Sequence, residues 1–154
     1  MNKQQLTDLV IIPTLNEMPK GFSNEAVLAI QMIVAHESNG GIYIAQKDGP
    51  ALGATQIEPF THDQTWAYGD SIWDNAIKLG IITRAQKILR KHPDASRLIY
   101  DLRYSVFMTR QRLFMFTESF PSEAESMAIY LKKYWNGPGK ATPEKYHSDF
   151  LRWV

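Results

Sequence analysis

The chain has 154 residues, 44% of them hydrophobic and 21% charged, which excludes a disordered or fibrous protein and allows one domain with a substantial core. Seventeen basic against sixteen acidic residues leave a formal charge of +1, so no strong field directs the chain to nucleic acid or to an anionic membrane. There is no cysteine, which removes disulfide frameworks and thiolate chemistry and fits synthesis in a reducing compartment.

The first segment, MNKQQLTDLVIIPTLNEMPKG, contains an apolar run from Leu9 to Ile12 that Pro13 interrupts. It is too short and polar for a secretion signal or a membrane span, and it predicts a short helix ending before Pro13, then a loop with Pro19 and Gly21. Ser23 or Asn24 caps the next helix, where Ala26, Val27, Ile30, Ile33 and Val34 recur at three- and four-residue spacing. Glu37, in AHESNGG, continues that apolar face to the point where the helix stops. Ile42, Tyr43 and Ile44, followed by a turn at KDGP, predict a small hairpin or an irregular loop.

Helical signals dominate from Thr61 onward. Thr61 and Gln64 match a capping box, SIWDNAIKLG stops at Gly80, and TRAQKILRKH stops at Pro93. Between Pro93 and Ser119, Leu98, Leu102, Val106, Leu113 and Phe116 fall near helical spacing, which predicts the longest apolar helix, central to the fold. Ser122 and Glu125 open a further helix to about Tyr134, ahead of YWNGPGK, and a last short helix follows Pro143. With no internal repeat or linker, the reading is mainly α, one domain over residues 1–154, with a small β or loop insertion after the first long helix.

Three polar stretches interrupt the apolar patterns: HES at 36–38, GATQIEP at 53–59 and YWNGPG at 134–139. In the second, Pro59 favours an extended Glu58, and an extended strand would point Gln56 and Glu58 to one face and anchor Ile57 on the other. Each stretch also has a plainer reading. Ser38 and Asn39 can terminate a helix, Gly40 and Gly41 can cap it, and Glu58 can be a surface acid at a helix start. Thr61 reads as a cap. His36, His62 and Asp63 have no spacing that brings them onto one helix face, so no metal site is expected. Trp66, Trp73, Tyr104, Phe107, Phe114 and Phe116 read as core, whereas Tyr130, Tyr134 and Trp135 divide between core and a sugar-stacking wall. The basic residues of LRKHPDASR read as a solvated face.

HESNGG, GPALGATQIEP, THD and YWNGPGKATPEKY, in this order, resemble the motifs of the lytic transglycosylase and goose-type lysozyme group, and most of all its small bacteriophage members. The resemblance covers residues 30–66 and 127–150. It implies a lysozyme-like α-helical fold and cleavage of the β-1,4 bond between N-acetylmuramic acid and N-acetylglucosamine in peptidoglycan. By motif, Glu37 would be the catalytic acid, Ser38 the hydroxyl beside it, Gln56 the glutamine of the cleft floor and Asn136 the asparagine of the Tyr-Asn motif; the extended conformation expected before Pro59, not the motif, puts Glu58 on the same cleft face as Gln56. Two departures from the pattern stand out. Ala54 and Thr55 replace larger apolar residues, and Trp135 stands where a tyrosine is common, which leaves Tyr130 and Tyr134 as candidates for the hydroxyl that touches the acid.

Protonating a glycosidic oxygen at neutral pH requires a carboxyl whose pKa lies well above its usual value, and the end of an apolar helix supplies both desolvation and an unfavourable dipole for the anion. The resemblance implies one carboxylate rather than two: Glu37 protonates the leaving oxygen, then deprotonates the C6 hydroxyl to close a 1,6-anhydro ring. The implied partner is the peptidoglycan glycan strand, met by a monomer with no cofactor, no nucleic acid and no membrane association. Such a protein would be carried in a phage virion or made in the infected host cytoplasm and would act in the periplasm or cell wall. The alternatives are a hydrolytic lysozyme on the same site, or a non-catalytic virion component that keeps the scaffold to bind glycan.

Overall fold

In the computed structural model, which describes residues 1–154, the chain enters its first helix at Asn2, whose side chain accepts the Gln5 N–H. This helix does not end before Pro13 as its sequence predicts. α1 (Lys3–Leu6) runs through a π turn (Thr7–Ile11) into α2 (Ile12–Glu17). In the π turn the Ile12 N–H reaches back to the Thr7 carbonyl, and this wider turn makes room for a ring that then occupies the first turn of α2.

α3 (Asn24–Glu37) begins where the Ser23 side chain accepts the Ala26 N–H at 3.0 Å, and it is buried from Met32 to Ala35. It stops after Glu37 because Asn39, Gly40 and Gly41 all take left-handed backbone, with φ of 52°, 68° and 84°. At Gly40 a side chain would also meet the Trp153 ring, 2.5 Å from where a Cβ would sit. This glycine therefore lets the end of the chain dock against the end of α3.

The insertion after α3 holds no β-ladder. Only isolated antiparallel bridges form, Ala45 with Leu52 and Leu52 with Ile57, while Ile42, Tyr43 and Ile44 are exposed. Positive φ at Asp48, Gly53 and Gln56 curls the segment into successive turns, and strands cannot extend through them. α4 (Pro59–Ala67) then starts one turn earlier than expected: Glu58 is its N-cap, without a side-chain bond, and Thr61 is inside the helix. Pro59 presets the first helical dihedral and so defines the start.

α5 (Ser71–Lys78) ends toward Gly80, at φ 72°, and α6 (Arg84–Ile88) opens with a complete capping box between Thr83 and Gln86. The long central helix is divided. α7 (Arg97–Tyr100) stops at Asp101, whose extended backbone breaks the run and whose carboxylate accepts the Tyr104 N–H at 2.9 Å to start α8 (Leu102–Phe114). α8 is nonetheless central, with every residue from Tyr104 to Gln111 buried. Phe114, at its end, is 38% exposed beneath the Arg110 guanidinium rather than in the core.

α9 (Ala124–Leu131) is preceded by Glu123 at the cap position with no side-chain bond, so the expected Ser122–Glu125 box does not form. It continues as a second π turn (Lys132–Asn136), and α10 (Pro143–Arg152) starts at Thr142, whose hydroxyl accepts the Lys145 N–H. Helices account for 59% of the chain. They share a continuous core of 34 buried apolar residues, in which α10 packs across α3 and α9. No helix is long and apolar enough to cross a membrane.

Candidate active site

Glu37 is the last residue of α3, and its half-buried carboxyl faces a cleft of about 440 Å³. Tyr146 of α10, itself fully buried, donates its hydroxyl to Glu37 Oε1 at 3.0 Å. Burial pushes the Glu37 pKa above the usual carboxylate range; the neighbouring His36, the Tyr146 hydrogen bond and the nearby Trp135 indole pull it back only in part. The Tyr146 hydroxyl is pushed up in turn, by burial first and by the Glu37 carboxylate second, so it stays a donor.

α10 is held to α3 by a second contact beside the first. His36 stacks on the Tyr146 ring, with centroids 4.0 Å apart, and its Nδ1 meets Asp149 Oδ2 at 2.8 Å. Asp149 is 5% exposed and also receives Lys145 and Arg152, one turn to either side. Burial raises the Asp149 pKa, but its bonds to Lys145 and His36 outweigh that and hold the carboxyl below its usual range.

The YWNGPG loop supplies the opposite wall. Lys132 Nζ donates to Asn136 Oδ1 at 3.0 Å and to the Gly137 carbonyl at 2.8 Å, which fixes the loop. The Asn136 amide lies close enough to the Tyr146 hydroxyl to lower its pKa slightly, so Asn136, Tyr146 and Glu37 make a polar group at this end of the cleft. Trp135 and Asn136 both line the cleft. Tyr130 and Tyr134 do not. Tyr130 donates to the Glu118 carbonyl at 3.0 Å and Tyr134 to the Glu118 carboxylate, within an aromatic cluster with Phe116 and Phe120. The hydroxyl on the acid belongs instead to Tyr146, a role the sequence reading missed although Tyr146 closes the motif YWNGPGKATPEKY and lies one turn from Asp149 on the same helix.

Ser38 lies beside Glu37 in sequence but outside the cleft. It is fully buried, its Oγ donating to the Val34 carbonyl at 3.1 Å and accepting the Gly41 N–H at 2.9 Å, so it closes the helix end. Gln56 and Glu58 do share the cleft, though not through an extended strand. Gln56 has φ 51°, in a tight turn where its own side-chain amide donates to the Gly53 carbonyl at 2.9 Å. Only Glu58 is extended, and it is exposed at the rim. Thr61, Gln46 and Arg112 complete the polar lining; the sequence gives Thr61 a capping role only and marks neither Gln46 nor Arg112.

His62, Asp63 and His92 bring three ligand-type atoms within 4.8 Å of one another, a cluster the sequence spacing did not reveal because His92 is distant along the chain. Its hydrogen bonds give it another role. The Trp66 indole can only donate, and does so to the Tyr104 oxygen at 3.0 Å; the Tyr104 proton is then free for His62 Nε2 at 2.6 Å. His62 consequently carries its proton on Nδ1 and gives it to Asp63 at 2.8 Å. Burial first of all holds His62 below its usual pKa, in keeping with a neutral ring. His92 Nδ1 is likewise committed to the Pro93 carbonyl at 2.7 Å. One ring nitrogen is left free, too few for a metal centre.

Comparison with protein-family models, with characterised proteins and with solved structures finds no match to this chain.

Proposed function

We propose that the protein is a peptidoglycan-cleaving enzyme on a lysozyme-like fold, breaking the β-1,4 bond between N-acetylmuramic acid and N-acetylglucosamine with Glu37 as its single catalytic carboxyl. The observation that carries this reading is the Glu37 carboxyl at the end of a buried helix, its pKa raised by burial, facing a cleft whose other walls are the Gln56 and Trp135–Asn136 segments. A raised acid pKa is what protonation of a poor leaving group requires near neutral pH.

In the proposed sequence Glu37 gives its proton to the glycosidic oxygen as the C1–O bond breaks, and the sugar's acetamido oxygen stabilises the cation. Glu37 is then a carboxylate, the state in which the donors Tyr146 and Trp135 help it most. It takes the proton of the C6 hydroxyl while O6 bonds to C1, which regenerates the acid and releases a 1,6-anhydro end. Glu37 thus needs a pKa high enough to donate and an anion stable enough to exist for one step. Burial supplies the first condition, and the Tyr146 hydrogen bond with the nearby Trp135 indole supplies the second.

One observation favours hydrolysis instead: Glu58 lies on the same cleft and could activate water as a second carboxylate. Mass spectrometry of muropeptides released from purified sacculi separates the readings. Anhydro ends support the single-carboxylate route, reducing ends assign water and Glu58, and intact sacculi in a turbidity assay would reduce the protein to a glycan-binding component. The proposed setting is a phage virion or an infected cytoplasm, with the cell wall as target.

A further inference from the structure

Arg112 is the one basic residue lining the cleft, on α8 across from the polar segments described above. Its guanidinium lies over the Trp135 ring, 5.1 Å from the centroid, and within 6.0 Å of the Phe116 ring. The other arginines that are at least half-buried are all engaged. Arg110 donates to the Gly21 and Lys20 carbonyls, Arg97 to Asp101 and the Ile81 carbonyl, and Arg103 to Glu17 and the Leu79 carbonyl. Arg112 makes no hydrogen bond and no ion pair within the protein.

Burial lowers the Arg112 pKa, and the Glu58 charge nearby partly restores it, but the guanidinium remains a cation. Stacking on Trp135 offsets part of the desolvation through the ring's negative face. It satisfies none of the five N–H donors, which the cleft leaves open to solvent and so to a ligand. The planar fork matches a carboxylate, with two parallel bonds. Glu58 does not fill that place, being exposed at the rim and making no bond to Arg112.

We propose that Arg112 is the receptor for a carboxylate borne by the glycan strand, seated against Trp135 beside the scissile bond. The assignment rests on the peptidoglycan reading above and narrows its substrate class to strands that carry negative charge near the muramic residue. That charge has two sources. A muramic residue stripped of its peptide exposes its lactyl carboxylate, and a peptide-bearing strand offers instead the free carboxylate of the first acidic residue of the stem. Arg112 would then separate muramic-acid polymers from neutral chitin-type strands, which present the same backbone bond without a carboxylate.

The test is binding, measured by calorimetry in the Glu37→Gln background so that no ligand is consumed. Three soluble ligands are compared: a peptide-free muramic oligosaccharide, the same oligosaccharide carrying a stem peptide with its acidic residue, and a chito-oligosaccharide of equal length. Arg112→Met keeps the apolar stack on Trp135 and removes the fork; Arg112→Lys keeps the charge. The Met change should weaken a carboxylate-bearing ligand by about tenfold or more, with Lys intermediate, and should leave the chito-oligosaccharide within about twofold. Loss confined to the peptide-free ligand identifies the lactyl group, and loss confined to the peptide-bearing one identifies the stem. Equal losses on all three ligands, or no loss, overturn the assignment while leaving the glycan reading intact. Absence of binding by all three before Arg112 is changed sinks the glycan reading itself and this assignment with it. Should the Met variant fail to fold, the Lys variant decides, since a loss of its preference for carboxylate over chito-oligosaccharide is still required.

Discussion

Glu37 serves the proposed chemistry at some expense to the fold. Its pKa in the folded protein is raised above the usual carboxyl value, chiefly by burial, so ionisation of Glu37 destabilises the native state. A raised carboxyl contributes its full stability below the unfolded pKa and loses it as pH rises through the folded pKa. Glu37→Gln should therefore melt higher than the parent at pH 7 to 8, and the advantage should vanish as pH falls to the ordinary carboxyl range; the same variant should lose about 10² to 10⁴-fold or more in muralytic rate. Thermal melts across pH and a turbidity assay read both effects. A Gln variant less stable at neutral pH, or still active, would contradict the assignment.

Tyr146 permits a sharper test at the same scale. Its hydroxyl stabilises the Glu37 anion and so holds the pKa below what burial alone would give. Tyr146→Phe should raise that pKa, moving the alkaline limb of the pH–rate profile to higher pH, while weaker support of the carboxylate lowers kcat by about tenfold. An unmoved or acid-shifted limb would show that the contact does not act on the proton. His62 carries a prediction of a different kind. Its Nδ1 proton is already committed to Asp63, so prolonged EDTA treatment should leave activity unchanged, and a loss restored by zinc would mean the Trp66–Tyr104–His62–Asp63 chain is misassigned.

Among the elements, the turn from Gly53 to Gln56 does the most to shape the cleft floor. Gly53 has φ 81°, and a Cβ there would lie 2.9 Å from Ser105 Oγ and closer still to the Leu98 carbonyl that Ser105 bonds. Gly53→Ala should cost about 2–4 kcal/mol from backbone strain and overpacking together, measurable by denaturant titration, and should reduce activity further by displacing Gln56. Elements whose ends rest on local chemistry were legible in the sequence: Ser23 as a cap, Gly80 as a stop and Pro143 at a helix start are readable from one or two residues. Those decided by neighbours were not. Pro13 breaks no helix because a π turn accommodates it, Asp101 divides an apolar run by capping it, and Gln56 leaves the extended region because its amide closes on Gly53. The site divides along the same line. Glu37, Gln56, Glu58, Trp135 and Asn136 belong to short motifs, whereas Arg112 reaches the cleft only through the packing of α8, and Tyr146, though it closes the last motif, meets Glu37 only because α10 packs on α3.

At the scale of the whole molecule, Asp149 ties the last helix to the catalytic one. It is 5% exposed and gathers His36, Lys145 and Arg152. Asp149→Ala should destabilise the fold by about 1–3 kcal/mol and reduce activity by releasing His36 from the Tyr146 ring. Because the Asp149 pKa is depressed, its contribution is present above the unfolded carboxyl pKa and fades as pH falls through the folded value. The difference between Asp149→Ala and parent should accordingly shrink in acid. A constant difference across pH would place its role in packing alone.

The bond between Glu37 and Tyr146 joins residues 109 positions apart. Closing so long a loop carries an entropic cost that local helix formation does not, so the contact belongs among the slow, non-local steps of folding. Helices form on their own timescale, while the acid acquires its hydroxyl partner only after α10 has docked. In refolding, catalytic competence should therefore trail the helical signal, and a nascent chain still short of residue 146 would hold its carboxyl without the donor that tunes it. Activity thus reports assembly of both ends of the molecule, and a protein that has regained its helices has not yet regained its acid.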